Sequence, residues 1–177
     1  AEPFYGPLDR IARLPGRSGI TVGVAHPDSD RSFLSYAGHL DRTDLGFFRE
    51  ALAGWPLDGA LALISGGFAM PGLHRHQRAL LDHLRLEGAE VAIDPGWPDD
   101  GWTPRNRAEA LSCAEAADHL LLNDKEITGL TDCDTTDAAV TALAETLASD
   151  TTIVVKCGAR GAVASGPSGR HEAIAAA

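Results

Sequence analysis

The chain has 177 residues, of which 44% are hydrophobic and 23% charged, and carries a net charge of −10 at pH 7. That is enough apolar material for one core, hence one domain or most of one. The acidity disfavours a nucleic-acid surface, which needs a basic patch. No apolar run approaches membrane-spanning length and no basic-flanked apolar leader opens the chain, so no membrane partner and a cytoplasmic location are expected. Cys113, Cys133 and Cys157 are odd in number and lack zinc-type spacing. They read as buried or incidental thiols in a reducing compartment.

In chain order, a short helical pattern at residues 8–14 lies in a Pro- and Gly-rich start. Residues 20–25 and 32–36 read as a β pair joined by the turn residues Pro27 to Asp30. From residue 43 the style changes. Helices are predicted over 44–53 with Thr43 as N-cap, 73–86, 107–116 and 138–147, with a helical pattern after Asn123 as well. Short strands are predicted at 60–64, 91–93, 120–122 and 152–155, with 162–164 as a hairpin partner of the last. Strands alternating with helices imply right-handed crossovers. The expected fold is α/β, a doubly wound, mostly parallel sheet with helices on both faces and a small β lid or edge hairpin. The expected division is residues 1–40 for the N-terminal segment and lid, and 41–177 for the α/β core.

Four successive strands end in Ser65-Gly66-Gly67, Asp94-Pro95-Gly96, Asn123-x-x-Glu126 and Lys156-x-Gly158-x-x-Gly161. Parallel strands bring such ends to one sheet edge, where α/β proteins bind ligands. A carboxamide and a carboxylate there can meet phosphate, water or a hydrated Mg²⁺. They can equally form a capping box, Asn123 with Glu126. Glycines after Lys156 let the backbone approach an anion, and the lysine can neutralise it; a plain hairpin turn is the alternative. The pattern is neither a Walker A loop nor a dinucleotide fingerprint. Asp94 serves as a supporting acid or as a cap of its turn. His76 and His83 share a helix face without a third ligand, so no zinc site is expected. No Gly-x-Ser-x-Gly elbow occurs. Arg75, Arg78 and Arg85 read as a solvated face, and Trp55, Trp97 and Trp102 as packing residues.

Together these motifs resemble the ribokinase-like (PfkB) family of carbohydrate kinases. Ser18 to Val22 is similar to its Thr-Gly-Val-Thr segment, Asp28 to Phe33 to its Asp-Gly-x-Arg turn, and Tyr36-Ala37-Gly38-His39 stands where it often has Gly-Ala-Asn. Ser65-Gly66 and Asp94 match its strand ends. Asn123-x-x-Glu126 matches its Asn-x-x-Glu motif, and Lys156-x-Gly158-x-x-Gly161 its Thr/Lys-x-Gly-x-x-Gly segment. The resemblance implies phosphoryl transfer from ATP, with Mg²⁺, to a hydroxymethyl group of a sugar or nucleoside. Asn123, Lys156, Gly158 and Gly161 would bind nucleotide, Asn123 and Glu126 would organise the metal–phosphate network, and Gly38 and His39 would lie near the substrate. It also leaves open a homodimer through the lid strands.

The sequence departs from the family in several places. The N-terminal Gly-Gly motif and the catalytic Asp-Thr-x-Gly-Ala-Gly-Asp segment, which supplies the base, do not occur among these residues. Gly96 replaces a common Asn after Asp-Pro. The resemblance therefore implies the middle of a kinase, inactive by itself. Two other readings stand beside it: a non-catalytic kinase-like ligand-binding or scaffold module, and an unrelated doubly wound binding protein.

Overall fold

In the computed structural model, which describes residues 14–27 and 31–175, eight strands form two sheets. The helical pattern expected at 8–14 falls almost wholly outside the described residues, as does most of the turn at 27–30. The strands β1 (Ile20–Ala25) and β2 (Arg31–Tyr36) pair antiparallel as a separate ribbon. The larger sheet has the sequential order β3 (Leu61–Ser65), β4 (Glu90–Asp94), β5 (His119–Asn123), β6 (Thr152–Lys156), β7 (Ala162–Gly166) and β8 (Gly169–Ala173). β3 to β6 are parallel; β7 and β8 are added antiparallel.

The α/β class, the mostly parallel sheet and the small separate β pair are thus as expected. Side-chain alternation fixes which face the core uses. Ile64, Val91, Ile93, Leu120, Leu122, Ile153 and Val155 share one face by register and are all buried. The helices α3 (Gln77–Leu86), α4 (Pro104–Ala114), α5 (Asp124–Thr131) and α6 (Thr136–Thr146) join these residues in one apolar cluster. Each buried Leu or Ile contributes about 1.5–3 kcal/mol. Sequential strand order with right-handed crossovers sends successive helices to the same face, so among the described residues the opposite face carries none of this cluster.

Local chemistry explains where the element boundaries differ from the expectation. The helix α1 (Leu45–Leu52) is capped by Asp44, whose Oδ1 accepts the Phe47 N–H at 2.9 Å. The expected cap, Thr43, is buried, and its hydroxyl donates to the Leu40 carbonyl at 2.8 Å. The expected helix 73–86 is two: α2 (Pro71–His74) and α3, because His76 leaves the helical region at φ −120°. The apolar spacing of Leu73, Leu80, Leu81 and Leu84 runs through the break and hides it. α4 begins earlier than expected, at Pro104, with Thr103 accepting the Asn106 N–H. Strand β8 was not anticipated, because its residues carry no apolar alternation. Arg78 and Arg85 do more than line a solvated face. They donate to the Ser112 and Ala116 carbonyls at 2.6 and 3.2 Å and so tie α3 to the end of α4.

All three cysteines are free, as expected; Cys113 and Cys157 are buried and Cys133 is half-buried. Burial pushes the Cys113 thiol up to about 11. A thiol reagent such as DTNB is expected to modify Cys133 alone in the native protein and all three after denaturation. Rapid native reaction of Cys113 or Cys157 would contradict this packing. Trp97, Trp102, Phe68 and His74 form an aromatic cluster with ring centroids 4.8–5.9 Å apart; Trp102 packs against the core as expected, whereas Trp97 is 52% exposed. Among the described residues no group of three His, Cys, Asp or Glu side chains could hold a metal ion, and no helix is long and apolar enough to cross a membrane.

Candidate functional site at the carboxyl edge of the sheet

The carboxyl ends of β4, β5 and β6 bring Asp94, Asn123 and Lys156 onto one face of the sheet, the face without the helix cluster. Asn123 and Lys156 are register partners. Lys156, from β6, reaches across β5, and its Nζ lies 2.6 Å from Asp94 Oδ2. Both groups retain some exposure, so the pair is worth little to stability. It matters more for placement, since it holds an ammonium and a carboxylate over the end of β5. The pair spans 62 residues, and no sequence spacing could have announced it.

Beneath this row, Asn123 and Glu126 close a capping box. Asn123 Oδ1 accepts the Glu126 N–H at 2.8 Å, and Glu126 Oε2 accepts the Asn123 N–H at 2.7 Å. The helical cap that the spacing allowed is therefore present. Glu126 is only 6% exposed. Burial holds its carboxyl above the ordinary range and Asp94 pushes the same way, against the Asn123 N–H and Lys156.

The glycine turn follows Lys156 directly. Gly158 has φ +57° and open space where a Cβ would point, so its backbone is accessible to a ligand. Gly161 has a different reason to be glycine: at φ +97° a Cβ would run into the Ala173 carbonyl oxygen of β8. The Cys157 N–H donates to the Gly161 carbonyl at 2.7 Å, which closes the turn. Arg160 bridges to Asp124 of the first turn of α5 at 3.2 Å, linking the turn to the Asn123–Glu126 box. A polar cleft of about 610 Å³ opens beside it, with Asp124, Thr135, Cys157, Arg160 and Arg170 among its walls. Neither Asp124 nor Arg160 carries a sequence signal of this bridge, since they lie 36 residues apart in separate motifs.

Ser65 pairs with Asp94 in register, and the Gly66 N–H donates to the Asp94 carbonyl at 2.8 Å, so the β3 end flanks the row. Gly38 and His39 stand apart, in the 3₁₀ turn Gly38–Arg42 at the root of the β1–β2 ribbon. His39 Nδ1 accepts the Gly19 N–H at 3.2 Å. No hydrogen bond or ion pair among the described residues joins either to the Asp94–Asn123–Lys156 row.

This fold is that of the ribokinase-like, or PfkB, kinases. A PfkB protein from a Polaromonas species superposes with a TM-score of 0.67 at 22% identity, over 90% of this chain and 54% of that one. Fructokinase from Vibrio cholerae, solved with fructose, ADP and calcium, gives 0.70 at 16% identity over 92% and 52%. Aminoimidazole riboside kinase from Salmonella enterica, solved with aminoimidazole riboside and an ATP analogue, gives 0.66 at 17% over 82% and 48%. The chain thus spans about half the length of these structures. No family model matches it, and no curated protein matches it by sequence.

Proposed function

We propose that these residues form the nucleotide-binding part of an ATP-dependent kinase that phosphorylates a hydroxymethyl group of a sugar or nucleoside. One observation carries the reading: on this fold, Asp94, Asn123 with Glu126, and Lys156 with its glycine turn meet at one sheet edge. The residues fit a nucleotide. Gly158 offers an unobstructed backbone, Lys156 a cation for phosphate, and the adjoining cleft has room. They fit Mg²⁺ only as a partner of bound phosphates. Glu126 is engaged in the cap and could reach such an ion through water, and three carboxylates do not converge here. When bound, the ion would neutralise phosphate charge. The chain's own share is to position Lys156, orient Asn123 and Glu126, and exclude water beneath the row. The β1–β2 ribbon would act as the lid and, through its exposed apolar face, as a homodimer contact; Gly38 and His39 would then meet the substrate at its root.

The base for the acceptor hydroxyl has no counterpart in the family motif within these residues, so the 177-residue chain should bind Mg–ATP without turnover. The test is calorimetry with Mg–ATP, followed by a coupled assay over a panel of sugars and nucleosides. A sub-millimolar Kd with no turnover is expected, and Lys156→Ala should weaken binding about tenfold, or ~1.4 kcal/mol. Turnover by this chain alone, or no binding of any nucleotide, contradicts the reading. The second reading, a non-catalytic ligand-binding or scaffold module, is favoured by the commitment of the Lys156 ammonium to Asp94. It predicts binding without turnover in the complete gene product as well.

A further inference from the structure

Packing does not account for Trp97. Its indole is half exposed, although the nearest prolines along the chain, Pro95 and Pro98, are fully buried. The backbone leading to it is tied to the end of β3. The Gly66 N–H donates to the Asp94 carbonyl at 2.8 Å and the Phe68 N–H to the Pro95 carbonyl at 3.2 Å. The Trp97 ring stands edge-to-face with Trp102, centroids 5.9 Å and planes 79° apart. Trp102 contacts Phe68 in turn and is seated against α5, where a Cβ on Gly129 would run into its indole. A large aromatic side chain that is braced on one side and open to water on the other is pre-organised to bind a ring.

Strand order sets its place at the sheet edge. The glycine turn lies on the β6 side of the Asp94–Asn123–Lys156 row. The Gly38–Arg42 turn lies on the β3 side, packed on α2, since a Cβ on Gly72 would be 2.7 Å from the Asp41 carbonyl oxygen. The Lys156 ammonium is drawn to Asp94 at the end of β4. A phosphoryl group held by that ammonium, with its nucleotide over the glycine turn, faces an in-line acceptor on the β3–β4 side. Trp97 follows Asp94 on that side.

We propose that Trp97 determines acceptor specificity: its indole stacks on the ring of an uncharged, hydroxyl-bearing acceptor, a cyclic sugar or a nucleoside. The loop from Asp94 to Thr103 holds Asp94, Asp99 and Asp100 and neither Lys nor Arg. Asp99 and Asp100 are exposed, and Asp100 accepts the Asn106 amide at 2.6 Å. Carboxylates beside the ring accept hydroxyl donors and disfavour sugar acids and sugar phosphates. The position of the acceptor rests on the phosphoryl-transfer reading; the braced, exposed indole does not.

The test uses the complete gene product that contains these residues, with adenosine, fructose, gluconate and fructose 6-phosphate as acceptor probes at saturating Mg–ATP. Adenosine or fructose should be used, and the two anions at least about tenfold less well. Trp97→Leu should raise the acceptor KM about tenfold, with kcat and the KM for Mg–ATP unchanged. Trp97→Phe should restore most of the loss. Trp55→Leu, at an indole 42% exposed between α1 and β3, should change none of these. A loss confined to adenosine assigns the ring to a base, and one confined to fructose assigns it to a sugar. An unchanged acceptor KM in Trp97→Leu, or a preference for either anion, overturns the proposal while leaving the nucleotide site standing. Failure to bind Mg–ATP defeats the kinase reading instead. Fluorescence titration of the parent against Trp97→Phe with the same compounds then decides: quenching by adenosine or fructose that needs Trp97 supports the ring contact, and its absence overturns it.

Discussion

Glu126→Gln is expected to leave the fold at least as stable as the parent at pH 7 while weakening Mg–ATP binding about tenfold, ~1.4 kcal/mol. The Glu126 carboxylate is buried and accepts the Asn123 N–H. A glutamine carbonyl can accept the same bond, so the cap survives. What changes is the charge. Burial raises the carboxyl above its ordinary value, with Asp94 adding to this. The folded state therefore holds the proton more tightly than the unfolded chain. Its contribution to stability is complete below the ordinary carboxylate pKa and is lost as pH rises through the raised value. The Tm of the variant minus that of the parent should thus be smallest below the ordinary carboxylate pKa and grow as pH rises above it. Glu126→Ala, by contrast, removes the cap and strands the Asn123 N–H, costing about 1–3 kcal/mol at low pH, a deficit that shrinks as pH rises and the parent loses its own contribution. A Gln variant that is less stable at pH 7 but binds Mg–ATP normally would reduce Glu126 to a capping residue.

Gly161→Ala is expected to be the most damaging single methyl in the glycine turn, at roughly 3 kcal/mol or more, a Tm loss of about 10 °C. Its added carbon would meet the Ala173 carbonyl oxygen, a backbone atom in a paired strand that cannot rotate away, at a φ of +97° that suits glycine alone. Gly158→Ala adds its carbon to open space and carries only the left-handed backbone strain, about 1 kcal/mol. The two variants separate a structural glycine from an accessible one in the same motif. Thermal melts of both, with Mg–ATP titrations of Gly158→Ala, check this. Equal stability losses would contradict the turn geometry, and unchanged nucleotide affinity in Gly158→Ala would remove that residue from the proposed site.

The strands of the core were legible because their apolar runs end in turn residues. β3 to β6 each fall within one or two residues of the expected span, since a buried parallel strand has little choice but Leu, Ile, Val and Ala. β8 was not legible. Gly-Arg-His-Glu-Ala pairs through its backbone on an exposed hairpin, where no side-chain pattern is needed. The break between α2 and α3 was hidden for the opposite reason, a continuous apolar period over a discontinuous backbone. At the site, the meeting of Asp94, Asn123 and Lys156 at one sheet edge followed from the parallel direction of β4, β5 and β6, which alternation of elements predicts, while their adjacency came from the strand order. The ion pair between Asp94 and Lys156, and the separate reasons for Gly158 and Gly161, depend on side-chain reach and on a neighbouring strand. Linear sequence encodes neither.

The most direct test is an amide NMR titration of the protein with Mg–ATP. Binding at the proposed edge predicts that Asn123, Glu126, Lys156 and Gly158 shift together and saturate with a single dissociation constant, while amides of β3 and α3 stay still. Saturating shifts that leave those four amides unmoved would contradict the account.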